Sequence, residues 1–77
     1  MNHPNFKSFE FAEAICNGVS WNAYEEFEAY LLNGGNINEV DRDGTSALEI
    51  AQIEMASRTS RERATALNIW LKSRGAK

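Results

Sequence analysis

Apolar residues return at intervals of three and four through four stretches of this chain, with polar and glycine-bearing letters between them. SFEFAEAICNG places Phe11, Ala14 and Ile15 on one helical face, with Ser8 as N-cap and Asn17-Gly18 as the stop. NAYEEFEAYLLNGG repeats the design with Tyr24, Phe27, Tyr30 and Leu31. Asn22 is its expected cap, Glu25 stands where it can return a bond to the cap's own N–H, and Asn33-Gly34-Gly35 ends it. The two helices and the short connection between them predict a helical hairpin.

The second half carries the same pattern. Ser46 and Glu49 stand in capping-box register at the head of SALEIAQIEMAS. Leu48, Ala51 and Met55 form its stripe, widened by Ile50 and Ile53. No apolar residue follows from Ser57 to Arg63. One helix from Ala47 to Ser73 would therefore carry a gap in its apolar face, and a break near Thr59-Ser60 is expected instead. Beyond it, RERATALNIWLKSRG turns Ala64, Leu67, Trp70 and Leu71 inward and stops at Gly75.

Two hairpins of related design flank GNINEVDRDGTS, which predicts an all-α fold built on an internal repeat. Over LLNGGNINEVDRDGTSALEIA the chain resembles the junction between two ankyrin repeats. Gly34-Gly35-Asn36-Ile37-Asn38 stands where that family writes Gly-Ala-Asp-Val-Asn, and Asp41-Arg42-Asp43-Gly44 matches its Asp-x-x-Gly turn. Ser46-Ala47-Leu48 matches Thr-Pro/Ala-Leu, and Ala51 its first helical alanine. The resemblance implies one domain over 1–77: repeat one at about 6–35, a turn at 36–46, and repeat two at about 47–75. The departures are specific. The intervals Gly18–Gly34 and Ser46–Gly75 are longer than the family's, so the helices or their connections must be longer too. Glu49 replaces a customary histidine, and two repeats are fewer than a solenoid normally stacks. A distinct four-helix arrangement is the alternative.

Carried over position by position, the family's binding face falls on Arg42, Asp43, Thr45, Ile53 and Glu54, with Cys16 and Asn17 the matching pair in repeat one. Ile53 reads either as an exposed interface anchor or as part of the core. Trp21, in the connection between the first two helices, reads either as an interface residue or as a ring folded over its own hairpin. Trp70 lies on a helical stripe and reads as core.

EVDRDGTSALEI invites a metal reading as well. With Gly44 in sixth place of a calcium loop, Glu39, Asp41 and Asp43 would be ligands one, three and five. The twelfth place requires a bidentate glutamate and holds Ile50; Glu49 is one residue short, about 100° around a helix. No metal is therefore expected, and Asp41 reads as turn chemistry, its side chain bonding nearby backbone N–H groups.

Charge adds an asymmetry. The chain of 77 residues carries net −3, but residues 1–46 hold eight acids against Lys7 and Arg42, and residues 47–77 hold six bases against three acids. The acidic pI of about 5.0 argues against a nucleic-acid binder. Glu54, Arg58 and Glu62 at spacing four would form an ion-pair ladder if that turn stays helical. The longest apolar run is four residues (Ala29 to Leu32), too short for a membrane span, and Met1 to Lys7 show no signal pattern. With a lone cysteine and no disulfide partner, the expected location is cytoplasmic. Catalytic chemistry is poorly supplied: Cys16 and His3 have no orienting third group, and no phosphate-binding glycine loop occurs. No enzyme activity and no cofactor are expected. The reading is a protein-binding module, with a small acidic inhibitor of a nucleic-acid-processing complex or a homo-oligomer as alternatives.

Overall fold

Glu10 sets where the first helix begins. Its carboxylate accepts the backbone N–H of Lys7 at 2.8 Å, satisfying one of the donors a helix start leaves open. In the computed structural model, which describes residues 6–19 and 21–77, Lys7 is accordingly the N-cap and α1 runs Ser8–Cys16. Ser8, expected as the cap, is instead the first helical residue. Its buried hydroxyl donates to the carbonyl of Asn36 at 2.7 Å, tying the head of α1 to the connection between the hairpins.

The second helix, α2 (Ala23–Leu32), starts without the expected capping box. Asn22 has φ −77° and ψ 70°, and the N–H of Ala23 bonds the carbonyl of Trp21 at 2.8 Å. That is an inverse γ-turn, not the extended geometry from which a cap side chain folds back on the helix. The Asn22 side chain makes no cap bond.

Ser46 does cap α3 (Ala47–Glu54), accepting from the N–H of Glu49 at 3.3 Å. The break near Thr59-Ser60 is present, and α4 runs Arg61–Ser73. Because the chain leaves the helix after Glu54, the expected ladder of Glu54, Arg58 and Glu62 along one helix face does not form. Glu54 accepts from the Ser60 hydroxyl instead, at 2.9 Å across the break. Three helices end alike, with an N–H beyond the cap reaching back a full turn: Val19 to Ala14, Gly35 to Tyr30, and Ala76 to Leu71.

Among the described residues the fold is all-helical: α1 and α2 form one hairpin, α3 and α4 the other, and α1 lies against α3. Ala12, Ala47, Ala51 and Ala64 are fully buried, small side chains that let these helices approach closely. Phe27, Leu67 and Leu71 fill the centre with no exposed surface. Phe11 stacks on Phe27 with ring centroids 5.0 Å apart and planes 8° from parallel. α4 also packs against α1, so one core serves both hairpins.

Trp70, read as core, is only half-buried. One side meets Phe27 and Tyr24, at 5.0 and 5.3 Å, and the Arg74 guanidinium lies 4.1 Å from its ring centroid. Arg74 then pairs with Glu28 of α2 at 2.9 Å. No helix among the described residues is long and apolar enough to cross a membrane.

Candidate docking face

The C-terminal turns of α1 and α3 come together at a groove of about 380 Å³ lined by Glu13, Cys16, Asn17, Ile50, Ile53 and Glu54. Four of these, Cys16, Asn17, Ile53 and Glu54, are the helix positions that the family resemblance implies, drawn from opposite halves of the chain. Ile53 resolves toward exposure: 63% of its surface is open to solvent, whereas Ile50, one turn earlier, is buried. Glu13 and Ile50 are not among the expected binding residues, although each lies three residues before one (Cys16 and Ile53) and so shares its helix face.

Cys16 occupies this groove differently from the exposed residue the resemblance implies. Its residue surface is 1% exposed, and burial pushes its thiol up to about 11, with the charge of Glu54 adding to the rise and Arg63 opposing it. A thiol so held stays protonated near neutrality and is a poor nucleophile. Its backbone carbonyl is also taken, by Arg63 Nε at 2.9 Å. Asn17, by contrast, is exposed. His3, the other half of the Cys16–His3 pair considered above, lies outside the described residues.

The turn residues form a second feature. Asp41 Oδ1 accepts from the N–H groups of both Asp43 and Thr45, each at 2.9 Å. The Asp41 N–H meets the Thr45 carbonyl at 3.0 Å, the Gly44 N–H meets the Asp41 carbonyl at 2.9 Å, and Val40 bridges to Ser46. Gly44 sits at φ +79°, where a side chain would be strained. Asp41 thus builds the turn, leaving Arg42 and Asp43 exposed at its tip and Thr45 half-buried.

The supposed calcium ligands point to other work. Glu39 accepts from the Tyr30 hydroxyl at 2.6 Å and lies 3.9 Å from the Lys7 ammonium. Burial and that carboxylate together raise the Tyr30 phenol to about 12. Among the described residues no cluster of three His, Cys, Asp or Glu side chains is arranged to hold a metal ion.

Trp21 is not part of this groove. It packs edge-on against Phe6 and Phe11, at 5.7 and 6.2 Å, folded back over its own hairpin. There it lines a larger cleft of about 640 Å³ with Val19, Tyr24, Glu62 and Arg63. The aromatic walls of that cleft are already packed inward, Trp21 on Phe6 and Phe11 and Tyr24 on Trp70. The smaller groove presents the more exposed anchor.

Comparison with known proteins finds no matching family model, no matching curated protein and no matching solved structure.

Proposed function

We propose that this chain is a non-enzymatic, ankyrin-like protein-binding module that docks through the α1–α3 groove and the Arg42–Thr45 turn. The observation that carries the reading is the meeting of Cys16 and Asn17 with Ile53 and Glu54 in one groove, with the exposed Ile53 among its lining. An isoleucine held open to water on an ordered helix, beside polar neighbours, is suited to anchor a partner. The placement of α1 against α3, with α2 and α4 as their hairpin partners and a hydrogen-bonded turn between the hairpins, supports the ankyrin-like part. The buried, protonated Cys16 thiol supports a non-catalytic role and suits a reducing, cytoplasmic setting.

Affinity capture from a native lysate tests the proposal. Wild type is run beside Arg42→Ala/Ile53→Glu, with matched helicity and thermal midpoint. A protein recovered by the wild type and lost with the variant is the expected result. Recovery of the same protein by both baits overturns this face, and recovery of nothing by either overturns the module.

A second reading, self-association, has its own observation. Leu32 is 82% exposed and lines a cleft of about 300 Å³ with Leu31, Ile37 and Arg74. A concentration-dependent sedimentation coefficient, abolished by Leu32→Ser and untouched by Ile53→Ser, would favour that reading over the groove.

A further inference from the structure

The proposed groove has a sign as well as a shape. Its lining includes two carboxylates, Glu13 and Glu54, and no lysine or arginine. Two helices end at it, with their closing carbonyls largely paired: Glu13, Ala14 and Ile15 with N–H groups beyond α1, and Ala51, Ile53 and Glu54 with N–H groups beyond α3. The sign of the groove therefore rests on its carboxylates. Neither α1 nor α3 carries a basic residue in its last turn to offset those carboxylates. Arg63 bonds the Cys16 carbonyl, and among the described residues no cationic side chain pairs with Glu13 or Glu54. Glu54 gives one oxygen to Ser60, a neutral donor, and so keeps its charge. The apolar component is equally local: Ile53 exposed and Ile50 beneath it.

We infer that the groove receives a basic segment of a partner protein, in which a lysine or arginine side chain meets Glu13 and Glu54 while an adjacent apolar side chain packs on Ile53. The inference rests on the docking role proposed above and adds the chemistry of the occupant. A cation brought to this site meets two carboxylates, Glu13 of α1 and Glu54 of α3, while the nearby Arg63 is engaged with the Cys16 carbonyl. An acidic segment would meet repulsion from both carboxylates. A purely apolar one would cover the carboxylates without pairing them, which costs desolvation for no return. A long lysine or arginine stem can also lie along Ile53 while its head reaches a carboxylate, so one side chain can use both features.

Selection from a random peptide display library separates the possibilities. The immobilised baits are the wild type, Glu13→Gln/Glu54→Gln, Ile53→Ser, and Glu25→Gln/Glu49→Gln, which removes two charges outside the groove. The expected result is enrichment of peptides with lysine or arginine next to a large apolar residue. Their affinity should fall at least about tenfold for the first two variants and hold within about twofold for the last. Equal losses with both double glutamine variants would reduce the effect to net charge and overturn the inference. Neutral or acidic peptides that still require Ile53 would overturn it too, while leaving the docking groove intact. If no peptide depends on Ile53, the groove and the inference fall together.

Discussion

Arg63 Nε donates to the carbonyl of Cys16 at 2.9 Å, fastening the first turn of α4 to the last residue of α1. The same guanidinium lies over Gly18, where an added Cβ would come within 3.2 Å of it. One side chain thus closes the end of a helix and links the two hairpins. Arg63→Ala is expected to cost about 1 kcal/mol, toward the low end for a charged hydrogen bond because the residue is exposed. Arg63→Lys should recover little of it, since lysine has no donor at the Nε position. Urea denaturation with an unchanged slope would measure both.

Alkaline pH should weaken the fold in two stages. The Cys16 thiol is raised from 9.0 to about 11, so between those values the native state holds a proton that the unfolded chain releases. Stability from this group is therefore complete below pH 9 and lost as pH climbs toward 11, on the order of 2 kcal/mol in all. Tyr30, raised from 10.0 to about 12, extends the loss upward in pH. Cys16→Ser should remove the earlier stage and keep the later one. The same burial predicts slow labelling of Cys16 by iodoacetamide at pH 8, rising to the rate of a free thiol in denaturant.

Local chemistry made much of the fold legible. The Ser46 cap, the helix stops and the break before Ser60 are each written within a few residues and each formed, although of the Ser46–Glu49 box the bond that is present is the one from the Glu49 N–H to the Ser46 hydroxyl. The failures have tertiary causes. Ser8 looks like a cap but spends its hydroxyl on Asn36, a partner far along the chain. Asn22 looks like a cap but follows Trp21, whose ring is engaged with Phe6 and Phe11, and the backbone there is an inverse γ-turn. Periodicity placed Ile53 close to the buried stripe without saying whether another helix would cover it. Only the groove lies there, so the residue is exposed. The burial of Cys16 is the counterpart: its matching position implied an exposed side chain, and packing against the second hairpin leaves it lining the groove with 1% of its surface exposed.

Tyr30 and Gly35 form a contact too close for a Cβ at position 35. A Cβ at Gly35 would clash with the Cδ2, Cε2 and Cζ carbons of the Tyr30 ring, so Gly35→Ala is expected to shift that ring and strain its bond to Glu39. The expected cost is about 1–3 kcal/mol, the range for forced overpacking. Tyr30→Phe keeps the ring and loses only the hydroxyl bond, about 1 kcal/mol. If Gly35→Ala costs no more than Tyr30→Phe, the ring has moved without strain and the close contact is unimportant.

Asp41 separates the turn from the metal reading. Asp41→Asn keeps a side-chain oxygen able to accept from Asp43 and Thr45, whereas Asp41→Ala leaves both N–H groups without it. The alanine variant should lose about 1–2 kcal/mol and the asparagine variant under half of that. Neither the wild type nor the asparagine variant should change its thermal midpoint when calcium is exchanged for chelator. A calcium-dependent rise in the wild type alone would restore a cation to the loop.

Ile53 and Phe27 should behave as opposites. Phe27 has no exposed surface and touches Phe11 and Trp70, so Phe27→Ala is expected to cost about 3–5 kcal/mol, enough to unfold much of a chain this small. Ile53 keeps 63% of its surface in water, and Ile53→Ser removes few packed contacts. Its cost should stay within about 0.5–1 kcal/mol, the serine's lower helix preference included. Thermal denaturation of the two variants measures the difference directly. A stable Ile53→Ser that no longer binds peptides would place Ile53 in recognition, because its loss would have left the fold intact. A large destabilisation would mean that Ile53 supports the end of α3, and the groove would then have to be argued from Glu13, Asn17 and Glu54 alone.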